Sequence, residues 1–173
     1  IFRSVNIALV NELALLCDTL LADVTADAEL SLEADPRVTS DKHLEVLAAR
    51  GFRRLSLGVQ DFDPTVQRAI HRMQSEAQVR DVTDRARALG FTSVGYHLAY
   101  GLPHQTLASI DATLAAVLRL GPDRIAFYGY AHVPWVKKAQ RGFSEADLPD
   151  ANLRRALYER GRDLLSAAGY RAV

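Results

Sequence analysis

Cysteine is nearly missing from this 173-residue chain; Cys17 is the only one. A single thiol excludes an internal disulfide and fits a reducing, cytoplasmic compartment. Surplus charge is missing too, because 21 basic side chains balance 21 acidic ones. Nucleic-acid binding draws on excess Lys and Arg to neutralise phosphates, so no nucleic-acid partner is expected. The small cluster Arg50, Arg53 and Arg54 reads either as a local basic patch or as the solvated end of a helix. No apolar run reaches the roughly 18 residues of a membrane span, and no secretory signal is recognisable. A Walker loop, a Gly-x-Ser-x-Gly elbow and a His-Glu-x-x-His pair are all absent, which leaves a nucleophile mechanism unsupported. His43, His71, His104 and His132 show no metal-ligand spacing.

What is present is an alternation of helical and strand-like segments. Over residues 4–23, Val5, Leu9, Leu13, Leu16 and Leu20 recur at helical spacing, with Cys17 on the same apolar stripe as a buried hydrophobe. Glu29–Ala34 alternates like a strand and stops before Pro36. Ser40 can cap a helix from Asp41 to about Arg50, ended by Gly51. Arg54–Val59 reads as a strand, Asp63-Pro64 as the start of a short helix, and Ser75–Leu89 as a longer helix stopped by Gly90. Thr92–Tyr100 is the next strand, and Thr106 caps a helix that runs to Leu120 and stops at Gly121-Pro122. Arg124–Tyr130 follows as a strand, 131–149 as an irregular segment, and a helix opened by Asp150 or Asn152 runs to about Ala168. Tyr170–Val173 is expected to begin a further strand.

Strands separated by helices indicate parallel β/α units. The predicted fold is α/β: part of a parallel β/α, TIM-type barrel with about four to five strands, too few to close a full barrel. Residues 1–149 are expected to form the partial barrel. Residues 150–173 are expected to be a helix and the start of a strand continuing into a further part. The chain opens on Ile1 rather than Met and reads as a fragment or processed piece.

Parallel strands bring their carboxyl ends to one rim, where α/β enzymes build their sites. Glu33, Gln60, His97 and the pair Ala131-His132 lie at or near those ends. A carboxylate, an amide and an imidazole together can hold a small polar ligand, and Arg72, shortly beyond Gln60, can pair with a carboxylate. Each also has a plainer reading. Glu33 could pair with Arg37, Gln60-Asp61 could be turn residues with Asp61 or Asp63 as a helix cap, His97 could be a hydrogen-bonded core histidine, and Arg72 a solvated charge. Tyr96, Tyr100, Phe127, Tyr128 and Tyr130 read as core and rim packing.

The strings EADPR (33–37), RLSLGVQDFD (54–63), VQRAIHR (66–72), GFTS (90–93), YGLPHQT (100–106), GPDRIAFYGYAHVP (121–134) and AQRGFSEADLP (139–149) resemble the oxygen-independent coproporphyrinogen III oxidases, a family of radical S-adenosylmethionine (SAM) enzymes. The resemblance runs collinearly from about Glu29 to the C-terminus. It implies a partial β/α barrel, SAM and a [4Fe–4S] cluster as cofactors, and an electron donor for the cluster. The implied substrate is the tetrapyrrole coproporphyrinogen III, two of whose propionates are oxidatively decarboxylated to vinyls in haem biosynthesis through a SAM-derived radical. By position, Glu33, Gln60, Arg72 and the backbone at Ala131 match residues that contact SAM. Arg72 is expected at the methionine carboxylate, Gln60 at the ribose and Ala131 near the adenine.

Two departures stand out. Neither the CxxxCxxC cluster motif nor the GGGTP segment that holds the SAM amino group occurs in the chain, so the cluster ligands are expected outside it and the fragment alone is expected to be inactive. His97 stands where the family usually carries an aspartate at the ribose. A neutral imidazole accepts through one nitrogen only, and a protonated one through none. Two alternatives therefore accompany this reading: a radical SAM relative that binds or modifies haem or another tetrapyrrole, and a non-catalytic haem-delivery protein.

Overall fold

Four parallel strands, β1 (Ser31–Ala34), β2 (Arg54–Gln60), β3 (Ser93–Tyr100) and β4 (Arg124–Gly129), lie side by side in chain order. The computed structural model describes residues 28–136, 140 and 142–173. The predicted helix over residues 4–23, with Cys17, lies outside them. Among the described residues, five α-helices connect or follow the strands: α1 (Asp41–Ala49), α2 (Pro64–Ala69), α3 (Glu76–Ala88), α4 (Leu107–Leu120) and α5 (Ala151–Ala167). Sequential strand order without reversal is how a β/α barrel wall is built, whereas a doubly wound sheet reverses its order at a switch point.

Side-chain parity divides the sheet into two unlike faces. Leu55, Leu57 and Val59 on β2 and Val94, Tyr96 and Leu98 on β3 have no exposed surface. They form one core with Leu44 and Leu47 of α1, Val79, Val82 and Ala86 of α3, Ile110, Leu114 and Val117 of α4, and Leu157 and Leu165 of α5. Each fully buried side chain of this size contributes roughly 1.5–3 kcal/mol. The opposite parity places Glu33, Ser56, Gly58, Gly95, His97, Ala126 and Tyr128 together on the other face. These residues are small or polar, as suits a surface that receives a ligand rather than a helix.

Local chemistry sets the helix ends as the sequence implied. Ser40 accepts from the His43 backbone N–H, and His43 Nδ1 accepts from the Ser40 N–H, so His43 serves as a cap. Asp63 caps α2 with Pro64 at its first position, Thr106 caps α4, and Gly121 ends α4 in the left-handed region. Asp150, not Asn152, caps α5. α5 packs closely on β4 because Gly161 has no side chain; a Cβ there would enter the Phe127 ring.

Among the described residues, one predicted element does not form. Tyr170–Val173 has no strand structure. The Tyr170 hydroxyl instead donates to the Pro122 carbonyl at 2.5 Å, which ties the chain after α5 back across the start of β4. The irregular segment 131–149 includes a short 3₁₀ turn at Glu145–Asp147.

Candidate functional site

The carboxyl ends of the four strands carry one polar side chain each on the open face: Glu33 from β1, Gln60 from β2, His97 from β3 and Tyr128 from β4. His97 Nδ1 lies 2.9 Å from Glu33 Oε1. The Tyr128 hydroxyl donates to Gln60 Oε1 at 2.6 Å. The His97 ring stands edge-on to Tyr128, with centroids 6.3 Å apart and planes at 83°. The four tips thus form one connected polar row. Burial pushes the Tyr128 phenol up, which keeps it protonated and able to donate.

Gln60 owes its direction to an irregular backbone. The β2–β3 register shifts between Gly58 and Gln60, and Gln60 has φ +66. A non-glycine residue in that region costs roughly 1–3 kcal/mol and persists only where its surroundings impose it. Those surroundings are an uncommonly dense buried network. Asp61 Oδ1 accepts from the Asp63 N–H at 2.6 Å and the Thr113 hydroxyl at 2.8 Å, and its Oδ2 accepts from Gln105 Nε2 at 2.6 Å. Gln105 Oε1 in turn accepts from the Gly101 N–H at 2.7 Å. Gln67 Nε2 donates to the Asp61 carbonyl at 2.9 Å, and Gln74 Nε2 donates to the Val59 carbonyl. Asp61 is fully buried; burial pushes its carboxyl up, and the hydrogen bonds from Asp63, Thr113 and Gln105 draw it part of the way back.

Arg72 follows α2 and returns over the sheet. Its Nε and Nη2 donate to the Gly58 carbonyl at 3.1 and 2.7 Å, and its Nη1 lies 3.2 Å from Asp35 Oδ2. A Cβ on Gly58 would lie 2.8 Å from Arg72 Nη2, so the guanidinium can cross β2 only because residue 58 is glycine. Burial lowers the Arg72 affinity for its proton and Asp35 opposes this, so the charge is retained. Asp35 is shared: Arg37 Nη2 donates to the same oxygen at 2.7 Å, and Arg37 Nη1 donates to the His71 carbonyl at 3.2 Å. The N–H groups of Arg72 that remain can meet an anionic ligand on the open face.

Glu33 and His97 therefore face one another directly. Glu33 does not pair with Arg37, which Asp35 occupies. His97 is no core histidine; its side chain keeps 25% of its surface. Arg72 is no solvated charge, with 21% exposure. Asp63 is the helix cap, and Asp61 is the buried anchor. Ala131 lies two residues beyond β4, where Gln140 clasps the loop by donating to the Ala131 carbonyl at 3.1 Å and accepting from the Val133 N–H. Its contacts are with this loop rather than with the polar row. In the sequence Tyr128 reads as packing and Asp35 carries no role of its own. Their signal is parity: Tyr128 stands two residues past Ala126, which pairs with His97. Among the described residues no group of three or more His, Cys, Asp or Glu side chains could hold a metal ion.

A sequence profile of the radical SAM superfamily matches residues 4–117. The oxygen-independent coproporphyrinogen III oxidase of Helicobacter pylori strain J99 is 45% identical over 147 residues, covering 85% of this chain and 32% of that protein. The protein of that name from Escherichia coli strain K12 is 43% identical over 148 residues, covering 86% of this chain and 32% of its own length. The solved structure of coproporphyrinogen III oxidase from Escherichia coli, described as a radical SAM enzyme, superposes with a TM-score of 0.88 at 40% identity, covering 94% of this chain and 38% of that one. The chain thus spans about a third of the length of these relatives.

Proposed function

This chain belongs to the radical SAM superfamily, and from that premise we propose that it forms the SAM-binding wall of an oxygen-independent coproporphyrinogen III oxidase. In this reading residues 1–149 are barrel units and residues 150–173 carry the helix of the next one. The observation that carries the proposal is the meeting of Glu33, Gln60, Arg72 and His97 on one open face, although they come from well-separated strings. The similarity to proteins named for this activity gives the substrate class.

The residues present suit a zwitterionic nucleoside. Arg72, lying over Gly58, offers N–H groups to a carboxylate, and Ala126 keeps the position beside His97 on the open face small. Gln60 Nε2 can donate to a ribose hydroxyl, because Tyr128 already occupies the carbonyl oxygen of that amide. Glu33 can accept from polar groups of the ligand through the oxygen not used by His97, and the backbone at Ala131 would lie toward the adenine. The cluster does not fit these 173 residues, since its ligation draws on several cysteine thiolates and the chain has Cys17 alone. When bound, SAM supplies the radical that oxidises the substrate's propionates; the residues here bind and orient it. A tetrapyrrole substrate, an external electron donor for the cluster and a cytoplasmic setting belong to the same proposal.

The test uses the polypeptide as its gene encodes it, after anaerobic reconstitution with iron and sulfide. Reductive cleavage of SAM, with loss of carbon dioxide from coproporphyrinogen III, is the expected result. Cleavage of SAM without release of carbon dioxide would instead favour a relative that modifies another tetrapyrrole, the reading that His97 recommends. Failure of both, together with a haem-induced Soret shift that His97→Ala abolishes, would point to haem delivery.

A further inference from the structure

The contact between Glu33 and His97 decides which hydrogen-bonding groups the rim offers. A carboxylate only accepts hydrogen bonds, so the 2.9 Å approach of Glu33 Oε1 to His97 Nδ1 requires the hydrogen on Nδ1. In the neutral ring the lone pair is then on Nε2, for which no partner is found among the described residues. The ring is steadied from a second side by the edge-on contact with Tyr128. Tyr128 itself is committed to Gln60. Beside the second, exposed oxygen of Glu33, the row therefore presents a fixed acceptor at His97 Nε2 and a fixed donor at Gln60 Nε2.

We propose that Glu33 is a positioning residue that holds His97 in the Nδ1–H tautomer, so that Nε2 accepts from a single ribose hydroxyl of SAM. The inference rests on the SAM-binding reading. It makes this site discriminate between ribose hydroxyls one at a time, since an imidazole has one acceptor atom where a carboxylate has two oxygens. Glu33 acts from an exposed position, with 62% of its side-chain surface free, so replacing it leaves the core undisturbed.

The experiment measures equilibrium binding of SAM and of its 2′-deoxy and 3′-deoxy analogues to the full-length reconstituted protein. Four forms are compared: the unaltered protein, Glu33→Ala, His97→Gln and the double variant. The unaltered protein is expected to prefer SAM over one of the two analogues by about tenfold, the ratio for one hydrogen bond. Glu33→Ala is expected to reduce that preference several-fold, because the imidazole can then tautomerise and turn. His97→Gln carries an amide oxygen near the place of Nε2 without needing Glu33. It should keep the preference, and adding Glu33→Ala to it should change the preference no further. Imidazole ¹⁵N shifts should show hydrogen on His97 Nδ1 in the unaltered protein and a tautomer mixture in Glu33→Ala.

If Glu33→Ala weakens SAM and both analogues equally, or reduces the preference equally in the His97→Gln background, Glu33 acts directly on the ligand or on the fold and the proposal fails alone. If the unaltered protein binds no SAM, the underlying reading fails with it.

Discussion

Gln105, in the turn after β3, donates through Nε2 to Oδ2 of Asp61, just past the tip of β2, at 2.6 Å in the buried interior. The two residues lie 44 positions apart in the chain, one in the string RLSLGVQDFD and the other in YGLPHQT. Asp61 and Gln105 tie the tips of adjacent strands together from behind, so that Gln60 can hold its left-handed conformation and face the ligand side.

This tie predicts an unequal response to two substitutions. Asp61→Asn keeps the size but sets an NH₂ against the Gln105 NH₂, and it should cost about 1–3 kcal/mol. Gln105→Leu strands Asp61 Oδ2 and the Gly101 N–H together, and it should cost more, roughly 3 kcal/mol or above. Urea denaturation of both variants checks the order; equal and negligible losses would show that the network carries no stability.

Gly58→Ala separates folding from binding. Its Cβ would meet only the end of the flexible Arg72 side chain and the Gln60 amide, so the circular dichroism and melting temperature should change little. Arg72 must leave the Gly58 carbonyl, and affinity for SAM should fall at least tenfold, the equivalent of about 1.4 kcal/mol. Calorimetric titration with SAM provides the measurement.

Tyr96 lies fully buried on the helix-facing side of β3, with its hydroxyl 2.7 Å from Thr83 Oγ1 on α3. Thr83 Oγ1 donates to the Val79 carbonyl, so Tyr96 donates to Thr83. Thr83→Val leaves a buried phenol unsatisfied and should destabilise by roughly 1–3 kcal/mol. Adding Tyr96→Phe removes the orphaned hydroxyl and should recover part of that loss. Additive losses in the double variant would contradict this assignment.

Asp35 gives the site an acid limit. Burial alone would raise its carboxyl, but the hydrogen bonds from Arg37 and the charge of Arg72 outweigh burial and hold it below the ordinary aspartate value of 3.8. A carboxyl lowered in the folded state contributes stability that is fully present above its unfolded value and is lost as pH falls through the folded value. Unfolding followed from pH 6 downward should show a loss below about pH 4. Asp35→Asn should be less stable at pH 6 and lose less of its stability on acidification.

The candidate site was legible where a residue ends a strand. Glu33, Gln60 and His97 could be chosen because parallel strands share a rim, and Arg72 because a guanidinium suits a carboxylate. Asp61 looked like a turn residue, since nothing in its neighbourhood announces Thr113 or Gln105, which come from α4 and the turn after β3. Tyr128 looked like packing because its face depends on the register of β4 against β3. Tyr170–Val173 resembled a strand by composition, but its tyrosine found the Pro122 carbonyl instead.

The sequence by itself determined the alternation of strands and helices, the caps at Ser40, Asp63 and Thr106, and the turns at Gly90 and Gly121. These depend on periodicity and on hydrogen bonds within a few residues. Only the tertiary structure decided that Glu33 faces His97, that Arg72 crosses Gly58, and that Asp61 is an anchor rather than a cap. Each of those facts joins segments whose separation along the chain carries no local signal, and each exists only once parallel pairing has set the register of four strands.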